Sequence, residues 1–128
     1  MLVGEVLRTK GSVQPVNIGP EATIGEFVRL LMEKNVGAAA VCDAGGGIIG
    51  MISERDLVRG IFEIGAGVAD IHVRDLMTAD VVACHSDDSI KSIQDMMIEG
   101  RFRHMPVIEE GKLIGMVSMR NIVENLNS

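Results

Sequence analysis

Two polar motifs at corresponding positions of the chain carry the side chains best suited, by type and spacing, to chemistry. Ser53 stands three residues before Asp56, and Ser118 stands three residues before Asn121, each pair directly after an apolar stretch that begins with a glycine. This spacing is typical of the capping pair at a helix N-terminus. Such a terminus also attracts anions, because its free N–H groups and the positive end of its dipole point outward. Capping and ligand binding are compatible, and both interpretations stay open.

The two motifs differ in charge at their last position. Asp56 carries a carboxylate, which accepts hydrogen bonds from two neighbouring hydroxyls, and charge-assisted bonds are the stronger sort. Asn121 offers one acceptor oxygen, two donor hydrogens and no charge. The sequence therefore predicts two unequal sites, with the stronger one at Asp56.

Cations stand near the second motif. Arg103 and His104 align with Gly37-Ala38 when the motifs are superposed, so only one half of the chain supplies positive charge there. Arginine has a planar fork suited to phosphate, and histidine adds charge that depends on pH. Arg55 and Arg120 lie within a turn of the two predicted helix starts and are further phosphate candidates. The alternatives are solvated arginines, surface ion pairs and a histidine at the edge of the core.

Apolar residues lead into both motifs. Met51 and Ile52 precede the first serine, and Met116 and Val117 precede the second. Side chains alternate between the two faces of a strand, so only part of this set can face a ligand. Core packing is the alternative role for each of them.

Catalytic and metal-binding patterns are missing from the sequence. The histidines, His72, His85 and His104, are scattered, and no His-x-x-x-His, phosphate-binding lysine loop or Gly-x-Ser-x-Gly motif occurs. Cys84 next to His85 is at most half of a metal site. The sequence therefore predicts no catalytic residue, no metal site, no required cofactor and no enzyme.

An internal repeat sets the framework for these motifs. Gly50 recurs as Gly115 after 65 residues, whereas Val41 recurs as Val107 after 66, and the one-residue difference falls in a hairpin turn. Each half reads as strand, helix, strand, strand, helix. The first helix of each half begins at a predicted cap, Thr23 or Ser89, and the last at the motif serine.

The predicted strands are residues 13–18, 38–42 and 48–52 in the first half, and 81–84, 105–108 and 113–117 in the second. Short lead-in segments, 3–7 and 73–77, precede the halves. We divide the chain into a first repeat (1–62), a linker (63–72) whose residues 63–70 are small and glycine-rich, and a second repeat (73–128). The expected fold is α+β, with two β-α-β-β-α repeats packed in pseudo-twofold symmetry.

Composition narrows the class of protein. The 128 residues are 47% hydrophobic with a mean hydropathy of +0.28, which argues against disorder, and no apolar run approaches a bilayer span. Net charge is −6, which argues against nucleic-acid binding. Glu5 stands where a signal peptide has positive charge, so we expect a cytoplasmic protein. Cys42 and Cys84 form no Cys-x-x-Cys pair, and buried, reduced thiols are expected.

The motifs resemble those of a known family. Gly50-x-x-Ser53-x-x-Asp56 after an apolar strand is similar to the Gly-x-x-Ser/Thr-x-x-Asp motif of the cystathionine-β-synthase-type domain, the CBS domain. Residues 75–78 (Asp-Leu-Met-Thr) and 103–107 (Arg-His-Met-Pro-Val) also resemble segments of bacterial members. Essentially the whole chain resembles a tandem CBS pair of the freestanding bacterial or archaeal type. In the second motif, Asn121 stands where the family usually has aspartate.

The resemblance implies a regulatory module. Such pairs bind AMP, ADP, ATP, S-adenosylmethionine or NAD in clefts between the repeats, often as homodimers that act on a partner protein. It also implies that the motif aspartate takes ribose hydroxyls, that the serine lies near ribose or phosphate, and that basic residues at the strand entry meet phosphate. The expected ligand residues are Ser53, Arg55, Asp56, Arg103, His104, Met116, Ser118, Arg120 and Asn121. The alternative is a dimerisation or docking module with ligand-free clefts.

Overall fold

A computed structural model describes residues 1–9 and 15–126 of the chain. Its helices are Val3–Thr9 (α1), Ile24–Lys34 (α2), Glu54–Ile64 (α3), Val73–Leu76 (α4), Ile90–Gly100 (α5) and Met119–Asn125 (α6), with a 3-10 helix at Gly65–Asp70. Its strands are Asn17–Ile18 (β1), Ala38–Cys42 (β2), Ile48–Ser53 (β3), His104–Glu109 (β4) and Lys112–Ser118 (β5). The mixed α+β class predicted from the sequence is confirmed. Val13, which we placed in the first strand, lies outside the described residues.

The chain forms two compact units. One consists of Val16–Val81, and we name it the Asp56 unit; the other consists of Met1–Pro15 with Val82–Ser128, and we name it the Asn121 unit. These units differ from the repeats along the sequence, because each contains the lead-in helix of the other repeat. No helix in the described residues is long and apolar enough to cross a membrane.

The Asp56 unit contains a three-stranded sheet. Strand β1 pairs in parallel with β2, and β2 pairs antiparallel with β3. The β2–β3 turn is closed by Asp43, whose Oδ1 accepts hydrogen bonds from the N–H groups of Gly45 (3.0 Å) and Gly47 (2.9 Å). Helix α2 begins where predicted, since the hydroxyl of Thr23 accepts the N–H of Glu26 at 3.1 Å. The core consists of Ile24, Phe27, Leu31, Ala39, Val41, Ile52, Val73 and Leu76.

The Asn121 unit contains the antiparallel pair β4–β5. The strand predicted at 81–84 is wrong: of these described residues, only Cys84 bridges a strand, in parallel at Val107. Its N–H donates to Pro106 and its carbonyl accepts from Ile108, after which the chain enters a turn in which Asp88 accepts the N–H of His85. The core consists of Val3, Val6, Cys84, Ile90, Ile93, Met97, Met105, Val107, Val117 and Ile122.

The lead-in helices are exchanged between the repeats in the same way on both sides. In the Asp56 unit, the N–H of Val73 donates to the carbonyl of Ala22 at 2.8 Å; in the Asn121 unit, the N–H of Val3 donates to Asp88 at 2.8 Å. Val73 and Val3 are both fully buried. Each α4 or α1 segment therefore completes the core of the unit that holds the other repeat's motif.

Helical spacing places apolar residues on one face of each of the last helices, α3 and α6, and these faces are only partly buried. On α3, Leu57 packs against the core, but Val58, Ile61 and Phe62 are exposed by 65%, 51% and 90%. On α6, Ile122 is fully buried while Val123 remains exposed. Residues 63–72, which we treated as a linker, contain the end of α3 and the 3-10 helix. Helical spacing alone identified the faces of α3 and α6 but not what covers them.

Candidate functional site

The first motif turns from strand β3 into helix α3 at Ser53. The backbone N–H of Ser53 donates to Oδ2 of Asp56 at 2.9 Å, and its hydroxyl donates to the same oxygen at 3.3 Å. The N–H of Glu54 donates to the carbonyl of Gly37 at 3.0 Å, which joins the helix start to the entry of β2. The capping interpretation of the motif is therefore confirmed, and its role in ligand binding stays a prediction.

Asp56 is unusually buried for a carboxylate. It is 7% exposed, and no other polar or charged residue among residues 1–9 and 15–126 is buried. Its Oδ1 lies 3.2 Å from Nη1 of Arg59, one turn further along α3. The Nη2 of Arg59 donates to the carbonyl of Leu76 in α4 at 2.9 Å. A buried carboxylate requires this kind of charge partner, because desolvation otherwise disfavours its ionised form.

The second motif forms a reciprocal capping box at α6. The N–H of Ser118 donates to Oδ1 of Asn121 at 2.9 Å, and the N–H of Asn121 donates to the hydroxyl of Ser118 at 3.1 Å. The bond from the serine N–H to the side-chain oxygen three residues later is the same as in the first motif, but the group that accepts it is neutral. The two motifs therefore differ in the charge of their capping residues, and the expected inequality of two ligand sites stays a prediction.

The cationic strand entry lies at the same helix start. His104, the first residue of β4, pairs with Ser118 across the hairpin, and the carbonyl of Arg103 accepts the N–H of Met119 at 2.8 Å. In the Asp56 unit, Ala38 occupies the corresponding position opposite Ser53. The structure therefore brings Arg103 and His104 to the second motif, as the alignment of the repeats predicts.

The two motif arginines are exposed in the first turns of their helices. Nε of Arg120 lies 2.9 Å from a carboxylate oxygen of Glu124, with side-chain exposures of 86% and 56%. Such an exposed i,i+4 pair contributes only about 0.3–0.5 kcal/mol, so a ligand anion can compete for the guanidinium. Arg55 is exposed in the first turn of α3.

Alternation along the strands separates the apolar candidates. Ile52 and Val117 are fully buried and belong to the cores of their units. Met51 and Met116 are half-buried on the opposite strand face. The core-packing alternative is confirmed for Ile52 and Val117, and Met116 remains the apolar ligand candidate.

The side chains of Cys84 and His85 make contacts within the Asn121 unit. Burial, followed by the charge of Asp88, raises the pKa of the Cys84 thiol to about 12, so the buried thiol stays protonated. Nδ1 of His85 lies 2.6 Å from the carbonyl of Ile108. Within the described ranges, no group of three or more His, Cys, Asp or Glu side chains is placed to hold a metal ion.

Arg59 is the site residue that sequence reasoning missed. Two signals pointed to it: it follows Asp56 by three residues, and 65 residues later the chain has Glu124 after Asn121. The charge therefore reverses at this position between the repeats, together with the change from carboxylate to amide.

Comparisons with known proteins agree with the repeat. The family model of the CBS domain matches residues 3–63 and 73–128. A 17.7 kDa protein of Acidianus ambivalens is 34% identical over 127 residues, which cover 97% of this chain and 72% of that protein. This chain spans 44% and 61% of two other archaeal relatives, so it is similar to only part of them.

Solved structures share the fold. A CBS-domain-containing protein from Agrobacterium tumefaciens matches with a TM-score of 0.92 and 36% identity, over 96% of this chain and 91% of that one. The protein CBSX2, whose structure was determined in complex with AMP, matches with a TM-score of 0.76 and 26% identity, over 96% and 93%. Because the family model matches both repeats and the repeats share a capping motif, this chain belongs to the CBS domain family, as a tandem pair of such domains.

Proposed function

We propose that this chain is a non-catalytic regulatory module that binds an adenosine-containing nucleotide: AMP, ADP, ATP or NAD. The observation that carries the proposal is the buried Asp56 carboxylate, held at the N-terminus of α3 by Ser53 and Arg59. The complex of CBSX2 with AMP shows that a related chain binds such a ligand.

Asp56 is the proposed contact for the ribose. Each carboxylate oxygen has two acceptor positions. Oδ2 takes two bonds from Ser53, whereas Oδ1 lies beside Arg59 and has capacity for one ligand hydroxyl. Ser53, which is half-buried, is the second polar group at this position. A charge-assisted bond to a ribose hydroxyl fits this arrangement.

Arg103 and His104 are the proposed phosphate contacts of the Asn121 unit, with Arg120 beside them in the first turn of α6. Arg55 occupies the equivalent position in the Asp56 unit. A guanidinium binds phosphate in a bidentate geometry. Met116, Ser118 and Asn121 complete the residues that we assign to ligand binding.

A nucleotide-sensing module must pass the binding event on to another molecule. The exposed apolar residues of α3 favour a second copy of this chain, in a homodimer. Val58, Ile61 and Phe62 form this surface. Exposed apolar patches of monomers are usually small, and larger ones mark interaction sites. The same observation supports the second candidate function, a dimerisation or docking module without a ligand. A cytoplasmic location and a regulated partner protein complete the proposal.

Thermal unfolding with a ligand panel separates the two functions. Ligand that binds only the native state stabilises it by about 2.7 kcal/mol at a hundred times its dissociation constant. We expect a higher melting temperature with at least one of AMP, ADP, ATP and NAD, and a smaller shift with adenosine; S-adenosylmethionine completes the panel. No shift with any compound favours the docking module. Because the chain has no Trp or Tyr, a 260 nm absorbance band in nucleic-acid-free protein reveals co-purified nucleotide.

A further inference from the structure

We propose that Arg59 is a positioning residue for ribose: it fixes the Asp56 carboxylate and thereby sets the preference for ribose over deoxyribose. This inference rests on the proposed nucleotide site and names a residue that acts through Asp56. Nη1 of Arg59 lies 3.2 Å from Oδ1 of Asp56, and Nη2 donates to the carbonyl of Leu76 at 2.9 Å. One guanidinium thus joins the motif carboxylate to helix α4.

The carboxylate is held at both of its oxygens. Ser53 donates its N–H and its hydroxyl to Oδ2, and Arg59 faces Oδ1. With both oxygens fixed, the carboxylate plane has one orientation, and the remaining acceptor position on Oδ1 points in a defined direction. Fixed acceptors discriminate strongly against a ligand that lacks the matching hydroxyl.

Burial makes the charge of Arg59 necessary. The Asp56 side chain is 9% exposed and that of Arg59 is 46% exposed, so the carboxylate is buried while the guanidinium remains partly in solvent. Removing the charge partner of a buried carboxylate leaves that charge uncompensated. Arg59 therefore compensates the charge of the Asp56 carboxylate and offsets its repulsion of a ligand phosphate.

The carbonyl of Leu76 holds the guanidinium itself. Leu76 is 3% exposed and belongs to the core of the Asp56 unit. Because α4 is the lead-in helix of the second repeat, this bond ties the proposed ribose contact of one repeat to a segment of the other. Arginine suits this double role, since its planar fork presents several N–H donors in fixed directions.

The second repeat provides an internal comparison. Asn121 replaces the carboxylate, and Glu124 stands at the position of Arg59 and pairs with Arg120 at 2.9 Å. An amide needs no counterion, so the cation occurs in the repeat that has the carboxylate. The joint replacement of the carboxylate and of the cation is expected if the function of Arg59 is to hold the Asp56 carboxylate.

The test compares AMP with 2′-deoxy-AMP and 3′-deoxy-AMP by calorimetry in wild type, Arg59→Gln and Arg59→Lys. Wild type should prefer AMP over at least one deoxy analogue. Arg59→Gln should weaken AMP by about tenfold and bring the affinity ratio of AMP to that analogue close to one. Arg59→Lys, which keeps the charge without the planar fork, should give an intermediate ratio. Arg29→Gln is the matched control, because Arg29 is an exposed helix arginine whose partner, Glu33, is 4.0 Å away.

The outcomes are distinguishable. If wild type binds no nucleotide, the proposed function fails and takes this inference with it. Wild type could instead bind AMP while Arg59→Gln has a lower melting temperature but the wild-type ratio of AMP to deoxy-AMP affinity. In that case Arg59 is purely structural, and only this inference is wrong. Should Arg59→Gln fail to fold, Arg59→Lys decides, since a wild-type ratio in that variant overturns the role of the fork.

Discussion

A Cβ atom on Gly50 would lie 2.7 Å from Sδ of Met77 and 3.0 Å from the carbonyl oxygen of Thr78. Gly50 opens the motif of the first repeat, and Met77 directly follows the lead-in helix of the second. The same relationship holds in the Asn121 unit, where a Cβ on Gly115 would lie 2.8 Å from Cδ2 of Leu7. The missing side chain of the motif glycine therefore leaves room for the lead-in segment of the opposite repeat. This explains why both motifs begin with a glycine.

Gly50→Ala should destabilise the fold by about 1–3 kcal/mol, the usual range for overpacking. Gly115→Ala should be milder, because its close neighbours are only side-chain atoms of Leu7, and Leu7→Ala should relieve it. Urea unfolding measures these differences. Gly19→Ala is the control, since its Cβ would meet nothing within 4 Å. Equal stability of Gly50→Ala and Gly19→Ala would contradict the packing account.

Asp56→Ala should weaken nucleotide binding more than Asn121→Ala. Hydrogen bonds to charged groups contribute about 1.5–3 kcal/mol and neutral ones about 1 kcal/mol, so the loss at Asp56 is roughly ten- to a hundredfold. The ligand-induced change in melting temperature is the right measurement, because loss of the cap alone lowers stability by up to about 2 kcal/mol. A lower melting temperature in ligand-free Asp56→Ala with unchanged nucleotide affinity would make Asp56 a cap only.

His85 should make stability depend on pH. Its hydrogen bond to the Ile108 carbonyl, and then the nearby carboxylates, raise the pKa of His85 above its ordinary value. A raised folded-state pKa gives stability that is complete below the unfolded value, about 6.5, and is lost as pH rises through the folded value. The urea concentration at the unfolding midpoint should therefore decrease as the pH rises from mildly acidic to mildly alkaline. This decrease should be smaller in His85→Gln. An NMR titration that places the pKa of His85 at or below its ordinary value contradicts this.

Phe62→Arg should convert a homodimer into a monomer. Phe62 is 90% exposed on the apolar surface of α3, and an arginine there adds charge to a contact that a second copy would desolvate. Light scattering at micromolar concentrations measures the mass. Ile114→Arg, at a residue of β5 that is 40% exposed, should keep the wild-type mass. A monomeric wild type would remove the dimer from the account.

The sequence predicted the local parts of the fold well. Capping pairs such as Thr23 with Glu26 depend on neighbours in the chain, and both motifs form the predicted helix starts. The strand at 81–84 failed because its apolar residues resemble a strand while only Cys84 has a strand partner. The exchange of lead-in helices was also not foreseen, because it depends on which unit buries Val3 and Val73.

The candidate site was predicted in part for the same reason. The offset between repeats placed Arg103 and His104 at the second motif, and the structure brings them there. Arg59, the charge partner of Asp56, was missed. Its role depends on the burial of the carboxylate and on its bond to the carbonyl of Leu76, which lies 17 residues after Arg59 in the sequence.

Calorimetric titration of the wild-type chain with AMP and with adenosine tests the central claim most directly. We expect AMP to bind with one tighter site per chain, at Asp56, and adenosine to bind more weakly, because only AMP carries a phosphate for Arg55 in the Asp56 unit and for Arg103 and His104 in the Asn121 unit. The double variant Arg103→Ala/His104→Ala should weaken AMP more than adenosine at the Asn121 site, whereas Lys91→Ala, at an exposed lysine of α5, should not. No binding heat with AMP, ADP, ATP or NAD, together with no change in melting temperature, would contradict the account.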